Sequence, residues 1–295
     1  MKPFRAALFV LACLSCLMVT GQVTLRYTLQ SGNTFKIKQE SNQTVVQKID
    51  DVDNIVSNSI QAIMKFEVVK ELANAYELQI TFTDIKMQIT SNITGEILDM
   101  DVTKTENNSQ NRIFKSLLNY PITAILETNG DISEIKGCEN LINEMIHQSN
   151  ISDAFTRDLM RTSLENDFGP NAMSQSYKQM TYFYPNKKVL INDSWHTKNK
   201  GSLETDNTWK LIELSDKKAI LAANGIVNMN VNKSGMIMQL IGKQKSRLIA
   251  NMYTGFLQEL TIEGVAKGNS EIEMEEGVMA IPTVVTSTIK YNIIN

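Results

Sequence analysis

Cysteine is scarce in this chain, which has three among 295 residues. Cys13 and Cys16 lie in an uncharged segment near the start, so Cys138 alone would remain if that segment is removed. A single cysteine cannot form an intramolecular disulfide, and the fold must therefore be stabilised by its hydrophobic core. The apolar residues around Cys138 recur with helical spacing, which places its thiol on a buried stripe where it acts as a small hydrophobe.

Histidine is scarcer still, with two residues, His147 and His196. His147 lies half a turn from Cys138 on the predicted helix, so the two cannot form a thiol–imidazole pair. His196 follows Trp195 on a predicted strand and faces the opposite side, toward solvent. The sequence also has no Gly-x-Ser-x-Gly elbow, no phosphate-binding loop and no paired histidine ligands. We therefore expect no catalytic residues, no metal and no cofactor, and a protein that is not an enzyme.

An excess of positive charge is absent too. The chain has 29 lysines and arginines against 32 aspartates and glutamates, a net charge of −3. Removing residues 1–21, which contain Lys2 and Arg5, leaves 27 basic and 32 acidic residues, a net charge of −5. Such a chain is poorly suited to neutralising phosphates, so we do not expect nucleic acid as a partner.

Residues 1–21 have the pattern of a signal peptide. Two positive charges precede an uncharged run from Ala6 to Val19, and cleavage is predicted between Gly21 and Gln22. The alternative is a lipoprotein signal, because Leu-Ser-Cys ending at Cys16 resembles the end of a lipobox. We therefore expect an exported protein of the periplasm or extracellular space, with lipid anchoring through Cys16 as the alternative.

The remaining chain, 22–295, is expected to form a single, mainly β domain with a helical insert. Apolar and polar residues alternate in segments such as 60–68, 76–82 and 289–293, the pattern of antiparallel strands with one buried face. Residues 138–180 instead show helical periodicity. The prediction is an α+β fold: long antiparallel strands in two related halves, 22–136 and 186–295, form a curved sheet, open barrel or sandwich. Two to three helices from 137–185 cover it.

The two halves share short motifs in the same order. Gly-Asn-Thr-Phe at 32–35 matches Asn-Asp-Ser-Trp at 192–195, and Glu71–Asn74 matches Glu213–Asp216. A third match pairs Thr94-Gly95 with Thr254-Gly255. The first match predicts a turn that starts each half. In it Gly32, Asn192 and Asp193 turn the chain, Ser194 hydrogen-bonds within the turn, and Phe35 and Trp195 anchor the strand in the core.

The segment 184–195, Tyr-Pro-Asn-Lys-Lys-Val-Leu-Ile-Asn-Asp-Ser-Trp, resembles a family of secreted Bacteroidota proteins of unknown function. Those proteins carry a P-x-K-x-V-x-x-G-D-S-W segment, and this chain has Asn192 where glycine is usual. The resemblance extends over nearly the whole chain after the signal segment but implies no activity. A weaker resemblance at the level of the fold is to periplasmic lipoprotein carriers, whose open curved sheet is covered by helices and holds acyl chains.

Methionine is abundant, with thirteen of its fifteen residues after the signal segment. Flexible thioethers suit an adaptable apolar pocket, although they also fill irregular cores. The candidates to line such a pocket at the interface of sheet and helices are Met145, Met160, Met229, Met236, Met238 and Met252. The sequence thus favours a non-catalytic binding or carrier protein for an apolar ligand such as a lipid. The alternative is a structural or interaction protein that docks onto a cell-envelope partner.

Overall fold

A computed structural model describes residues 21–49, 51–104, 109–233, 235–274 and 277–294. Most of the predicted signal segment, with Cys13 and the alternative anchor Cys16, lies outside these residues. Gly21 and Gln22, the two sides of the predicted cleavage site, are exposed at the start of the described chain.

Twelve strands and four helices are present in the described residues. The strands are β1 (Thr34–Ile49), β2 (Val52–Glu71), β3 (Ala75–Ser91), β4 (Gly95–Asp101), β5 (Ile122–Glu127), β6 (Ile132–Lys136), β7 (Ser194–Asn199), β8 (Leu203–Leu214), β9 (Lys218–Lys233), β10 (Met236–Asn251), β11 (Leu257–Met274) and β12 (Gly277–Ile294). The helices are α1 (Ser109–Lys115), α2 (Cys138–Ser149), α3 (Ala154–Phe168) and α4 (Pro170–Thr181).

All strands belong to one open antiparallel sheet in the order β6-β5-β3-β2-β1-β12-β11-β10-β9-β8-β7, and β4 pairs with β3 beside this path. Each half forms one contiguous block of the sheet: β1 to β6 on one side and β7 to β12 on the other. The halves join at the centre, where β1 and β12 pair from Lys36 with Ile294 to Gln47 with Thr283. The predicted mainly β fold, a curved sheet covered by helices, is confirmed.

Glycine permits close approach of neighbouring strands within this sheet. A Cβ atom added at Gly242 in β10 would collide with the backbone of Val265 and Ala266 in β11. A strand interior tolerates such an approach only where no side chain is present. The glycine at 242 therefore permits the close pairing of β10 with β11 at this level of the sheet.

Of the three helices between β6 and β7, α2 and α4 bury residues in the main core with the strands, whereas α3 packs against α2 and α4. In α2 the buried residues, among them Cys138, fall on a single stripe, and α3 begins where the Asp153 side chain accepts a hydrogen bond from the Thr156 amide. The apolar spacing of α3 is misleading, because Phe155 is 71% and Leu159 57% exposed.

Helix α4 links the two edge strands of the sheet. The Ser174 hydroxyl donates to the carbonyl of Ile132 in β6 (3.3 Å). At the other edge, the Asn199 amide of β7 donates to the carbonyl of Gln175 (3.4 Å). The space between the sheet edges is thus spanned by a helix rather than by strand pairing.

The turns that precede β1 and β7 have the same hydrogen bonds. Gly32 and Asn192 have φ angles of 87° and 76°. The Gln30 amide donates to the Asn33 side chain (2.9 Å) and the Leu190 amide to the Asp193 side chain (2.8 Å). The side chain that closes the second turn is therefore Asp193 rather than Ser194, which is exposed at the start of β7.

The other repeat matches differ in outcome. Glu71–Asn74 and Glu213–Asp216 lie at equivalent hairpins, β2–β3 and β8–β9. Thr94-Gly95 lies between β3 and β4, whereas Thr254-Gly255 lies between β10 and β11, at the opposite rim of the sheet. The third match is therefore not a structural equivalence.

Aromatic side chains fill the core where helices meet sheet. Phe35 is half-buried and stacks on Phe256 with ring centroids 4.0 Å apart. Trp195 is buried, and its indole nitrogen donates to the carbonyl of Phe183 (2.9 Å). The aromatic residues that follow the two matched turns, Phe35 and Trp195, therefore pack in the same main core.

Candidate functional site

A cavity of about 210 Å³ lies between the C-terminal part of α4 and the concave face of the sheet. Strands β1, β2 and β7–β12 form its floor, and Lys178, Gln179 and Tyr182 form its helical wall. It is smaller than the roughly 300–1,000 Å³ of pockets that hold drug-sized ligands. The space therefore suits a small molecule or part of a larger one.

Eight strands contribute one residue each to a transverse line along the cavity floor, which we call the polar row. Because the pairing register aligns these positions, they share one face and one level of the sheet. From β2 to β7 the polar row consists of Asn58, Gln43, Ser287, Gly264, Gln244, Gly225, Asn207 and Thr197. All eight residues line the cavity or lie directly beneath a side chain that does.

Two hydrogen bonds orient amides of the polar row, one within the row and one to Thr205 in the neighbouring line. The Gln244 amide nitrogen donates to Asn207 Oδ1 (2.8 Å), and the Asn207 amide donates to the Thr205 hydroxyl (3.4 Å). A Cβ atom at Gly225 would collide with the Asn207 side chain. The Oδ1 atom of Asn58 is shielded from solvent and has no partner among the described residues. The row thus retains capacity to bind a polar group.

The next line of inward-facing residues, toward the hairpin between β9 and β10, is apolar from β2 to β9 and ends with the polar residues Thr205 in β8 and Asn199 in β7. Its apolar part comprises Val56, Val45, Val285, Ala266, Gly242 and Val227. Val45, Ala266 and Val285 of this line belong to a small hydrophobic group, which we call the second apolar cluster. Its buried residues are Leu240, Ala266 and Val285, and Val45, Met229 and Met238 pack against them. On its other side the cavity meets the main core at Trp209 and Ile262. The polar row is therefore flanked mainly by apolar surface on both sides, with Ser41 and Ser246 on one side and Thr205 and Asn199 on the other as polar exceptions.

The cavity lining carries almost no charge. Lys178 is the one charged residue among the described lining residues, and its ammonium pairs with Asp131 Oδ1 at 2.7 Å. Burial raises the pKa of the Tyr182 phenol, and the nearby Asp131 carboxylate raises it further. The phenol is therefore neutral, and the lining offers amides and hydroxyls.

The six candidate methionines do not gather in one place. Met229 lines the cavity, and Met238 packs on the second apolar cluster. The Sδ atom of Met236, at the start of β10, lies 4.0 Å from the Gln47 amide nitrogen. Met145 is fully buried in the main core, and Met160 and Met252 pack at its edge.

Other reactive side chains are isolated. Cys138 is 1% exposed, and burial raises the pKa of its thiol. His147 is exposed, and the exposed His196 lies 3.7 Å from Asp206, whose pKa is lowered chiefly by a hydrogen bond from Lys198. Across the described residues, no three His, Cys, Asp or Glu side chains are placed to hold a metal ion. None of the described helices combines the length and apolar character needed to cross a membrane.

Sequence reasoning missed the polar row. Polar residues on an alternating strand were assigned to the solvent face, and the inward positions Gln43, Asn58 and Gln244 break that rule. Their local signal was a polar residue in phase with buried apolar ones, as Ser246 and Gln244 are with Leu248 in β10. Only the register of neighbouring strands shows that these exceptions form a line.

The fold and the cavity define a class: a large open antiparallel sheet whose concave face is partly covered by helices and encloses a cavity. The chain belongs to a family of unknown function, DUF6263, whose model matches residues 73–257. Among curated proteins, none matches the sequence.

Among solved structures, the chain is similar to lipovitellin, in a structure described as "lipid-protein interactions in lipovitellin", with a TM-score of 0.55 and 9% identity. The match covers 91% of this chain and 26% of the lipovitellin chain, so this chain spans about a quarter of that protein. DynF from the dynemicin biosynthesis pathway of Micromonospora chersina aligns with a TM-score of 0.20 and 8% identity over 92% of this chain and 84% of its own. That score does not define a shared fold. The likeness to lipovitellin is one of fold alone.

Proposed function

We propose that this protein is an exported, non-catalytic binding or carrier protein that holds an apolar ligand such as a lipid against the concave face of its sheet. The observation that supports this most directly is the cavity between α4 and the sheet, which is bounded by the second apolar cluster. Burial of an apolar ligand group in this cavity is favourable because it removes apolar surface from water, and it requires no repacking of the main core. The fold likeness to lipovitellin, a structure described by its lipid interactions, points in the same direction.

The export and single-domain assignments are part of this proposal and rest on the sequence. The pattern of residues 1–21 supports a signal peptide, and the pairing of β1 with β12 supports one cooperative unit from 22 to 295. Intact-mass analysis of the protein from its own host tests the first: a mature chain beginning at Gln22 supports it, and a diacylated Cys16 supports the anchored alternative. A single unfolding transition seen by two probes tests the second.

Ligand binding is tested with a pair of neighbouring substitutions in β12. Ser287 lies in the polar row and Thr286 is exposed on the opposite face. Ser287→Phe fills the cavity and should weaken binding of a fluorescent single-chain lipid at least about tenfold, equivalent to 1.4 kcal/mol. Thr286→Phe adds the same bulk outside and should leave binding unchanged. Equal binding by all three proteins, each with native thermal unfolding, contradicts the proposed site.

The alternative, docking onto an envelope partner, is supported by a patch on the convex face. Ile226, Lys243 and Val265 lie side by side on β9, β10 and β11. Ile241 nearby is 70% exposed. The lysine suits an envelope protein with an acidic surface at this patch.

Crosslinking in the native host compares the wild type with Ile241→Asp and with Ile93→Asp, an equally drastic change at an exposed residue elsewhere. The same crosslinked partner must be recovered with the wild type and Ile93→Asp and lost with Ile241→Asp. Recovery that is insensitive to Ile241→Asp rules out this patch.

A further inference from the structure

Apart from Lys178, the polar groups that line the cavity are uncharged amides and hydroxyls, and they restrict the kind of ligand that can bind. Resting on the proposed function, we infer that the ligand is a single-chain amphiphile with an uncharged, hydrogen-bonding head group. The head contacts the polar row and the chain lies against the second apolar cluster.

The absence of free charge in the lining excludes a charged head group on energetic grounds. An ion that leaves water needs an opposite charge and further hydrogen bonds to compensate for lost hydration. Lys178 is already paired with Asp131 at 2.7 Å, and no acidic residue belongs to the described lining. A carboxylate therefore has to compete with Asp131 for the Lys178 ammonium, and an ammonium head group finds no partner.

The amides of the polar row complement a neutral head group. An amide offers donors and an acceptor at once, and hydroxyl groups do the same on a smaller scale. Gln244 and Asn207 hold each other in place at 2.8 Å, so their remaining donor and acceptor sites are fixed before a ligand arrives. The shielded Oδ1 atom of Asn58 has no donor among the described residues. Rotation of the Asn58 side chain toward the cavity would let a ligand hydroxyl or amide supply one.

Size and neighbouring surface specify one chain. The cavity volume of about 210 Å³ accommodates a head group and the start of a chain, not the bulk of a two-chain lipid. Directly beside the polar row, Val285 and Ala266 present the second apolar cluster. The head and chain of an amphiphile thus meet matching surface at adjacent levels of the sheet.

The experiment compares three probes with the same lauroyl or dodecyl chain: monolauroylglycerol, laurate and dodecyltrimethylammonium. Calorimetric titration of the full chain at pH 7 should give a Kd for monolauroylglycerol at least about tenfold lower than for either ion. Gln244→Leu should weaken monolauroylglycerol about fivefold or more, since it removes the amide with little change in size. Gln239→Leu, the same change at an exposed site of β10, should not.

The two proposals fail differently. Binding of laurate as tight as that of monolauroylglycerol, and abolished by Lys178→Met, overturns the head-group inference while leaving a lipid-binding protein. An undiminished affinity for monolauroylglycerol in Gln244→Leu overturns the role of the polar row. If none of the three probes binds the wild type, the proposed function itself fails.

Discussion

The indole nitrogen of Trp195 donates a 2.9 Å hydrogen bond to the main-chain carbonyl of Phe183. Phe183 follows α4, and Trp195 is the second residue of the edge strand β7. Both side chains are buried in the main core. The bond therefore fixes the point at which the helical cover returns to the sheet.

Replacing Trp195 by Ala should lower the free energy of unfolding by about 3–5 kcal/mol, as expected for a buried aromatic. Trp195→Phe keeps most of the packing but leaves the Phe183 carbonyl unpaired, which should cost about 1–3 kcal/mol. Urea unfolding followed by circular dichroism measures both. Unchanged stability in Trp195→Phe would show that the hydrogen bond contributes nothing.

Gly130 and Gly32 form a second comparison, since both have positive φ angles, 96° and 87°. A Cβ atom at Gly130 would collide with the Thr181 carbonyl oxygen, whereas at Gly32 it would meet no atom within 4 Å. Gly32→Ala should cost about 1–2 kcal/mol through the backbone conformation alone. Gly130→Ala should cost clearly more in the same unfolding assay, because the turn after β5 must also move away from α4. Similar losses would contradict the close approach.

Asp101 provides a test by pH. The Thr103 hydroxyl donates to Asp101 Oδ1 (2.6 Å), and this hydrogen bond is the main cause that lowers the pKa of the carboxyl below its ordinary value of 3.8. A lowered pKa stabilises the folded state fully above 3.8 and progressively less as the pH falls below it. Asp101→Asn should therefore destabilise the protein more at pH 7 than at pH 3 in urea unfolding. A difference that is the same at both pH values would exclude this linkage.

Cys138 should react slowly with a thiol reagent in the folded protein. Its side chain is 1% exposed, and burial raises its pKa, so little thiolate is available. Labelling in guanidinium should be fast, because unfolding exposes the thiol. Rapid stoichiometric labelling under native conditions would show that α2 opens readily from the sheet.

Much of the fold was predictable from the sequence because its signals are local. Alternation in 76–82 indicated a strand, and the stripe around Cys138 indicated a helix with one buried face. The matched turns at Gly32 and Asn192 were recognisable since a positive φ angle restricts the residue type. The candidate cavity residues were not, because methionine content says nothing about where each side chain lies.

The sequence by itself determined most of the secondary structure and the neutral to acidic character of the chain. These properties depend on composition and on neighbours within a few residues. The tertiary structure alone decided that β1 pairs with β12, that α4 joins the two sheet edges, and that Asn58, Gln43, Gln244 and Asn207 face inward along one line. The reason is physical: a polar row across eight strands depends on the register of pairs far apart in the chain, and no local period encodes that register.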